Sequence, residues 1–296
     1  NSYYLTFVLF FLAFILRFYE FNDLGFWGDE VLTYWETQPF QTYNEVWLKI
    51  RQTEYNSPLY FYILNIYNHY FDYSAYSVRL FHIIFGSLSL IIVFFISKYL
   101  FSTFLSNLVL FFLSINLFLI WISTEVRIIS FVLFFYLFLI LLFFQIIKNI
   151  HSPKISFFEI VLLSFFNLFT LSLHPFAIAI IISQLLFLFL MLVNNKGLFK
   201  KKIILFIFLI TLFCFFYVIL NIDYILWRLS GDPLAHHKLS YKFFIGYNFK
   251  SFFSSYFLGF VNLFLIALSF WKIKKNVYEN LFLLYLKIIF IITYLF

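Results

Sequence analysis

Charge is scarce in this chain: 11% of its 296 residues are Asp, Glu, Lys or Arg, while 64% are hydrophobic. A soluble domain carries about a quarter of its residues charged, so a water-facing globular fold is excluded. Cysteine is almost missing as well. The single Cys214 sits inside an apolar run, which rules out disulfides and cysteine-held metal sites. Alternating apolar and polar strand patterns are lacking, which argues against a transmembrane barrel. No soluble basic face accompanies the net charge of +7, so nucleic acid is not an expected partner. Gly/Ser-rich boundaries, low-complexity linkers and internal repeats are also lacking, and residues 1–296 read as one integral domain.

What is present is apolar sequence from end to end, with a mean hydropathy of +0.97. Stretches of about 18 or more apolar residues can each cross a hydrocarbon core of about 30 Å. The expected fold class is therefore all-α, a polytopic transmembrane helical bundle. Between polar breaks, spans are expected near 3–19, 78–97, 104–122, 127–147, 156–173, 175–194, 203–221, 252–271 and 280–296, about nine in all. The 51 Phe residues fit lipid-facing positions in the product of an AT-rich genome. The chain has no initiator Met and stops inside an apolar run at Phe296, which points to a trimmed chain with a truncated C-terminus.

One segment, "PLYFYILNIYNHYF" at 58–71, is short for a span and is interrupted by Asn65, Asn68 and His69. Periodicity leaves two readings, a span or an interfacial amphipathic helix. Charge separates them. If 58–71 stays outside, Lys98, Lys148, Lys154, Lys196, Lys200–Lys202, Lys272, Lys274 and Lys275 all face one compartment, as the positive-inside tendency requires. The N-terminus is then cytoplasmic and 20–77 forms a long outer loop with interfacial helices. Asp29, Glu30, Glu125, Arg127 and His174 all fall on the outer side. Within the loop, Thr42 and Glu45 have capping-box spacing, Glu45 and Lys49 are an i,i+4 pair, and Pro58 suits the first turn of a helix.

Four places carry candidate chemistry. In "GFWGDEVLTYW", Asp29 and Glu30 are either a solvated loop or a carboxylate pair held at the interface by Trp27, Tyr34 and Trp35; a carboxylate there can act as base toward a hydroxyl. In "WISTEVRIIS", Glu125 and Arg127 lie between two spans with almost no loop to solvate them. They either face a cavity or mark an interfacial turn with snorkelling side chains. His174-Pro175 breaks one apolar run into two helices, and the His is either a helix-junction residue or a ligand. Arg79, at the outer end of a span, suits a phosphate or simply anchors the helix.

Taken in order, "FWGDEVLTYW", "NSPLYFYILNIYNHYF", "SAYSVRLFHIIFGSLSLIIVFFISKYLF", "STEVRIISFVLFF" and "LHPFAIAI" resemble the GT-C superfamily of membrane glycosyltransferases. The branch they look most like holds protein O-mannosyltransferases and bacterial aminoarabinose lipid A transferases, and the resemblance covers residues 20–180. It implies an inverting transfer of a sugar from a polyprenyl-phosphate donor to a hydroxyl of a lipid, glycan or protein acceptor at the outer membrane face. It implies Asp29 as catalytic base with Glu30 beside it, and Glu125 and His174 orienting the acceptor or holding a divalent metal. Arg79 and Arg127 would bind the donor phosphate, and Trp27, Tyr34, Pro58 and Tyr60 would line the lipid or sugar path. The expected location is a bacterial cytoplasmic (inner) membrane with the active site on the periplasmic or extracellular side. Two departures narrow this. Ser57 stands where the family often has a first Pro, and Tyr55-Asn56 replaces the Glu-Lys pair of the aminoarabinose transferases, so lipid A is not implied as acceptor. The competing expectations are a polytopic transporter or lipid-linked glycan flippase, and a non-catalytic scaffold.

Overall fold

The computed structural model describes residues 2–19, 25–53, 57–149, 157–194, 199–229 and 277–295, and among these the regular structure is helical, with no strand. Helices α1 (Ser2–Tyr19), α5 (Ala75–Lys98), α8 (Ile128–Asn149), α9 (Phe157–Leu173), α10 (Ala177–Asn194), α11 (Phe199–Leu220) and α13 (Val277–Leu295) lie where apolar runs were expected, as helices. The expected span 252–271 lies outside the described residues. Three helices are long and apolar enough to cross a membrane: α5, α8 and α11 from Ile203 to Leu220. The other apolar helices, among them Tyr3–Tyr19, Phe157–Leu173 and Ala177–Val193, run 10–17 residues. Phe7, Phe112, Phe158 and Phe208 point outward, as side chains facing lipid would. In such a solvent, backbone groups must be satisfied within each helix, which leaves the α-helix as the local solution.

The stretch expected as one span at 104–122 is broken. Helices α6 (Thr103–Ser114) and α7 (Leu117–Thr124) meet at 61°. The break is capped: Asn116 Oδ1 accepts from the Leu119 N–H at 3.0 Å, which supplies a partner for a backbone donor that the interrupted helix frees. Including this bent pair, up to four crossings qualify by length and composition.

Between α1 and α5 lie α2 (Gly28–Glu36), α3 (Tyr43–Thr53) and α4 (Leu59–Tyr70). The Thr42–Glu45 capping box forms, with the Thr42 N–H donating to Glu45 Oε2 at 2.7 Å and the Glu45 N–H donating back to Thr42 Oγ1 at 3.3 Å. Lys49 does not bond to Glu45, whose carboxylate is taken by Thr42. Its ammonium instead donates to the Trp35 carbonyl at 2.8 Å and lies 4.1 Å over the Trp35 ring. Helix α4 is about 18 Å long for its 12 residues, too short to span. The asparagines that interrupt its apolar run are tethers: Asn68 Nδ2 donates to the Thr37 carbonyl at 2.8 Å, and Asn65 to the Gln38 carbonyl. Tyr60, Phe61 and Leu64 pack in one core with Val78, Phe131 and Leu173, so the α2–α4 segment shares a core with α5, α8 and α9.

The end helix following α12 (Ile222–Leu229) is α13, which packs on α10 and α8 in a second core with Phe143, Phe187 and Tyr285. Helix α5 is the hub, packing on α1, α6, α7 and α8. Its approach to α7 depends on Gly86: a Cβ there would lie 2.3 Å from Ser123 Oγ and 3.2 Å from Ser123 Cα. Gly86→Ala is therefore expected to destabilise the fold by about 1–3 kcal/mol through overpacking, read as a lower midpoint in thermal or denaturant unfolding of the detergent-solubilised protein. An unchanged midpoint would show that the two helices separate freely.

Candidate functional site

The "GDE" stretch is the first turn of α2. Trp27 precedes it in extended conformation, with φ −90° and ψ 170°, and its carbonyl takes the N–H groups of Glu30 and Val31 at 2.9 and 3.0 Å. Glu30, three residues on, reaches back and accepts the Trp27 N–H at 3.2 Å. Acidic side chains in a first turn also meet the positive end of the helix dipole. Asp29 and Glu30 are therefore helix-starting residues, and they point to different surroundings.

Glu30 is 3% exposed in its side chain and Arg79 5%. The Arg79 guanidinium donates through Nη2 to Glu30 Oε2 at 3.2 Å and to the Gly25 carbonyl at 3.1 Å, and its carbon lies 4.9 Å over the Phe26 ring. The other carboxylate oxygen of Glu30, Oε1, accepts the Val126 N–H at 2.8 Å. One carboxylate thus joins the start of α2, the N-terminal end of α5 and the turn between α7 and α8. With both oxygens engaged, Glu30 is placed as an anchor of the site. Arg79, expected to meet a phosphate, is turned to this anchor and the Gly25 backbone.

Asp29 stands beside the anchor with half of its side chain exposed, at 50%. Arg127 Nη2 lies 3.9 Å from Asp29 Oδ2. Its Nη1 donates to the Asp29 carbonyl and to Thr33 Oγ1, both at 3.2 Å, and Thr33 Oγ1 donates to the same Asp29 carbonyl at 3.2 Å. The backbone of Asp29 is held from two sides while its carboxylate keeps access to solvent and to a ligand.

Glu125 caps the C-terminus of α7 and is 5% exposed. Burial, and then the neighbouring charge of Glu30, raise its carboxyl from the ordinary value to about 7, against the pull of Arg127 and of a hydrogen bond from the Trp27 side chain. Its Oε1 is buried with no hydrogen-bond partner. A carboxyl in this state holds or releases a proton near neutrality, beside the exposed Asp29.

The remaining expected residues, Trp27 apart, make contacts of their own. His174 Nδ1 is 3.0 Å from Tyr136 Oη and accepts the Phe176 N–H at 3.4 Å, at the junction of α9 and α10. Tyr34, expected to line a lipid or sugar path, stacks on Tyr73 at 4.1 Å, and each tyrosine hydroxyl donates to the other's backbone carbonyl. Tyr60, given the same expected role, is fully buried, with its hydroxyl 2.6 Å from His82 Nε2, so it packs the core instead. Pro58 is also buried, next to Ser57, whose hydroxyl donates to the Ser172 carbonyl. Trp27 stays half-exposed at the site. Among the described residues no three His, Cys, Asp or Glu side chains gather as metal ligands, and Glu125 and His174 belong to separate hydrogen-bonded groups.

One buried charge was not anticipated from the sequence. Arg17, in the last turn of α1, is fully buried against α6 and α7. A lone cation inside an apolar run is the signal that points to it.

Two outcomes test this geometry. Glu30→Gln leaves the Arg79 guanidinium buried without its counter-charge and should cost about 3–5 kcal/mol of stability, with the Glu30→Gln/Arg79→Met pair costing less than the sum of its members. For Glu125 the folded state favours the protonated form, so its stabilising contribution is complete below pH 4.5 and is lost as pH rises through about 7. Glu125→Gln should match the wild-type Tm near pH 4.5 and exceed it above pH 7, measured as Tm against pH. No protein-family model, curated protein or solved structure matches this chain.

Proposed function

We propose that the chain is a membrane glycosyltransferase that moves a sugar from a polyprenyl-phosphate donor to an acceptor hydroxyl at the outer face of a bacterial cytoplasmic membrane. The observation that carries this reading is the division of labour in one acidic pair. Glu30 is buried and spent on Arg79, Trp27 and Val126, while Asp29, one residue away, is half-exposed on a backbone clamped by Arg127 and Thr33. A solvated loop has no need of such an anchor. A general base does, because proton transfer requires a carboxylate fixed within hydrogen-bond reach of the attacking group.

In this mechanism the acceptor oxygen attacks the anomeric carbon and its proton passes to the Asp29 carboxylate. The bond from that carbon to the lipid phosphate oxygen breaks, and the phosphate leaves with the electron pair, inverting the configuration. A phosphate leaving group needs its charge neutralised more than it needs a proton, and Arg127, 17% exposed and next to Asp29, is the cation at that position. Glu125 orients the acceptor. Glu30 and Arg79 are positioning residues. The shorter apolar helices would complete a bundle of about nine spans, with 20–77 as the outer loop carrying the base.

Transport is the competing reading, and it has one supporting observation: Asn167 and Gln184, both fully buried in mid-helix, share a 2.7 Å hydrogen bond between α9 and α10. The pair sits in a predominantly apolar core with Leu163, Leu188 and Phe187, and neither residue is ionisable, as the groups of a transport path typically are. Membranes bearing Asp29→Asn should lose label transfer from polyprenyl-phosphate sugars by about 10²-fold or more, with protein levels unchanged. Full transfer activity in that variant rejects the assignment of the base.

A further inference from the structure

Helix α5 carries a cation near each end. Arg79, in its first turns, belongs to the acidic cluster, and Lys98 lies in its last turn. The helix covers about 28 Å between them, from a rise of about 1.5 Å per residue, close to a hydrocarbon thickness of about 30 Å. Helix α8 repeats the arrangement, from Arg127 just before its start to Lys148 in its last turn. Lys98 and Lys148 thus mark the end of the bundle opposite Asp29 and Glu30.

A crevice of about 240 Å³ lies beside Lys98, between two helical stripes. Tyr3, Phe7 and Phe10 supply the α1 wall at spacings of four and three residues, and Ile91, Phe94 and Phe95 supply the α5 wall. Lys98 continues the α5 stripe, four residues past Phe94 and seven past Ile91, so it stands on the crevice side of its helix. Its ammonium lies 5.5 Å over the ring of Tyr3, which ends the α1 stripe at the same level. It donates to Thr103 Oγ1 at 2.6 Å, which takes one of its three N–H donors. Among the described residues no carboxylate pairs with Lys98. Glu159 starts α9, which packs on α8, α10 and α11. Phe7 and Phe95 are exposed, so these walls face the surroundings of the bundle as well as its core.

We propose that this crevice binds an anionic phospholipid, with one acyl chain between α1 and α5 and the headgroup phosphate at Lys98. The two halves of the site ask for the two halves of such a molecule. A free anion gains nothing from walls of Phe and Ile, and an uncharged lipid leaves the ammonium without a counter-charge. Phosphatidylcholine brings the phosphate together with a balancing cation, so its net attraction to a lysine is weaker. A lysine near an anionic leaflet contributes about fivefold in affinity. The proposal is independent of sugar transfer, because the crevice lies at the other end of α5 from Asp29.

The test is native mass spectrometry of the purified chain in detergent, titrated separately with phosphatidylglycerol and phosphatidylcholine of identical acyl chains. Phosphatidylglycerol should bind about fivefold more tightly, and excess inorganic phosphate should not displace it. Equal affinity for the two lipids in the wild type, or displacement by phosphate, overturns the site without needing any variant to fold. Lys98→Gln should erase the preference. Lys148→Gln should retain it, because the Lys148 ammonium lies 5.9 Å over Tyr99, whose ring packs on Phe144 and Phe282 of α8 and α13. Equal loss in both variants, or a preference that survives Lys98→Gln, would show diffuse surface charge and reject the Lys98 site. Ile91→Trp, which keeps the lysine and fills the crevice, should weaken both lipids; unchanged binding in that variant rejects the acyl-chain position.

Discussion

The Glu30–Arg79 contact is the joint on which the packing of α2 against α5 and the α7–α8 turn depends. Two side chains, 49 residues apart in sequence and 3.2 Å apart in space, are shut away from solvent with both carboxylate oxygens engaged. The net stabilisation from such a buried pair is small, because desolvation offsets most of the attraction. Its effect is on register. Glu30 can accept from Trp27, Arg79 and Val126 together only if α2, α5 and the α7–α8 turn meet in one arrangement. Any sliding of α2 would strand a buried charge, so the position of Asp29 follows from the position of Glu30.

That coupling explains how adjacent acids come to differ. Successive helical residues project about 100° apart, from about 3.6 residues per turn, so one faces the core when the other faces out. Arg127 then completes the contrast by bonding the backbone of Asp29 more closely than its carboxylate. Glu125 adds a third acid whose proton is retained toward neutrality by burial and by the charge of Glu30. The site is thus an arrangement of three carboxyl groups in three environments: buried and paired, buried and unpaired at one oxygen, and half-exposed. Such separation of environments is how one cluster of like residues comes to hold distinct acid–base roles.

A similar economy runs through the membrane-embedded part. The break at Ile115–Asn116 turns the chain by 61°, frees the Ser114 carbonyl, and brings Ser123 under Gly86. Arg17 draws on both consequences. The bend, the glycine and the buried cation are one structural unit, and it lies along α7 from the acidic cluster. The polar residues of α4 serve the α2–α4 segment in the same way. Asn65 and Asn68 hold the α2–α3 connection by its carbonyls, which is why an apolar helix of 12 residues carries them.

The sequence by itself determined the helical class, the placement of most apolar helices, the Thr42–Glu45 cap, the shortness of α4, and the acids and Arg127 that stand out against an apolar background. These are local or compositional properties, set by hydrophobic length, by spacing of three or four residues, and by the cost of a charge among hydrocarbons. Only the tertiary structure decided which charges pair. Choosing Glu30 over Asp29 as the partner of Arg79 depends on which helical face meets α5, and no run of residues near Asp29 records that. The split of 104–122 into α6 and α7, the hydrogen-bond partners of Tyr34, Tyr60 and His174, and the lack of a paired carboxylate for Arg17 among the described residues are likewise long-range outcomes. Each depends on contacts made across the bundle, where burial converts a side chain's identity into a role.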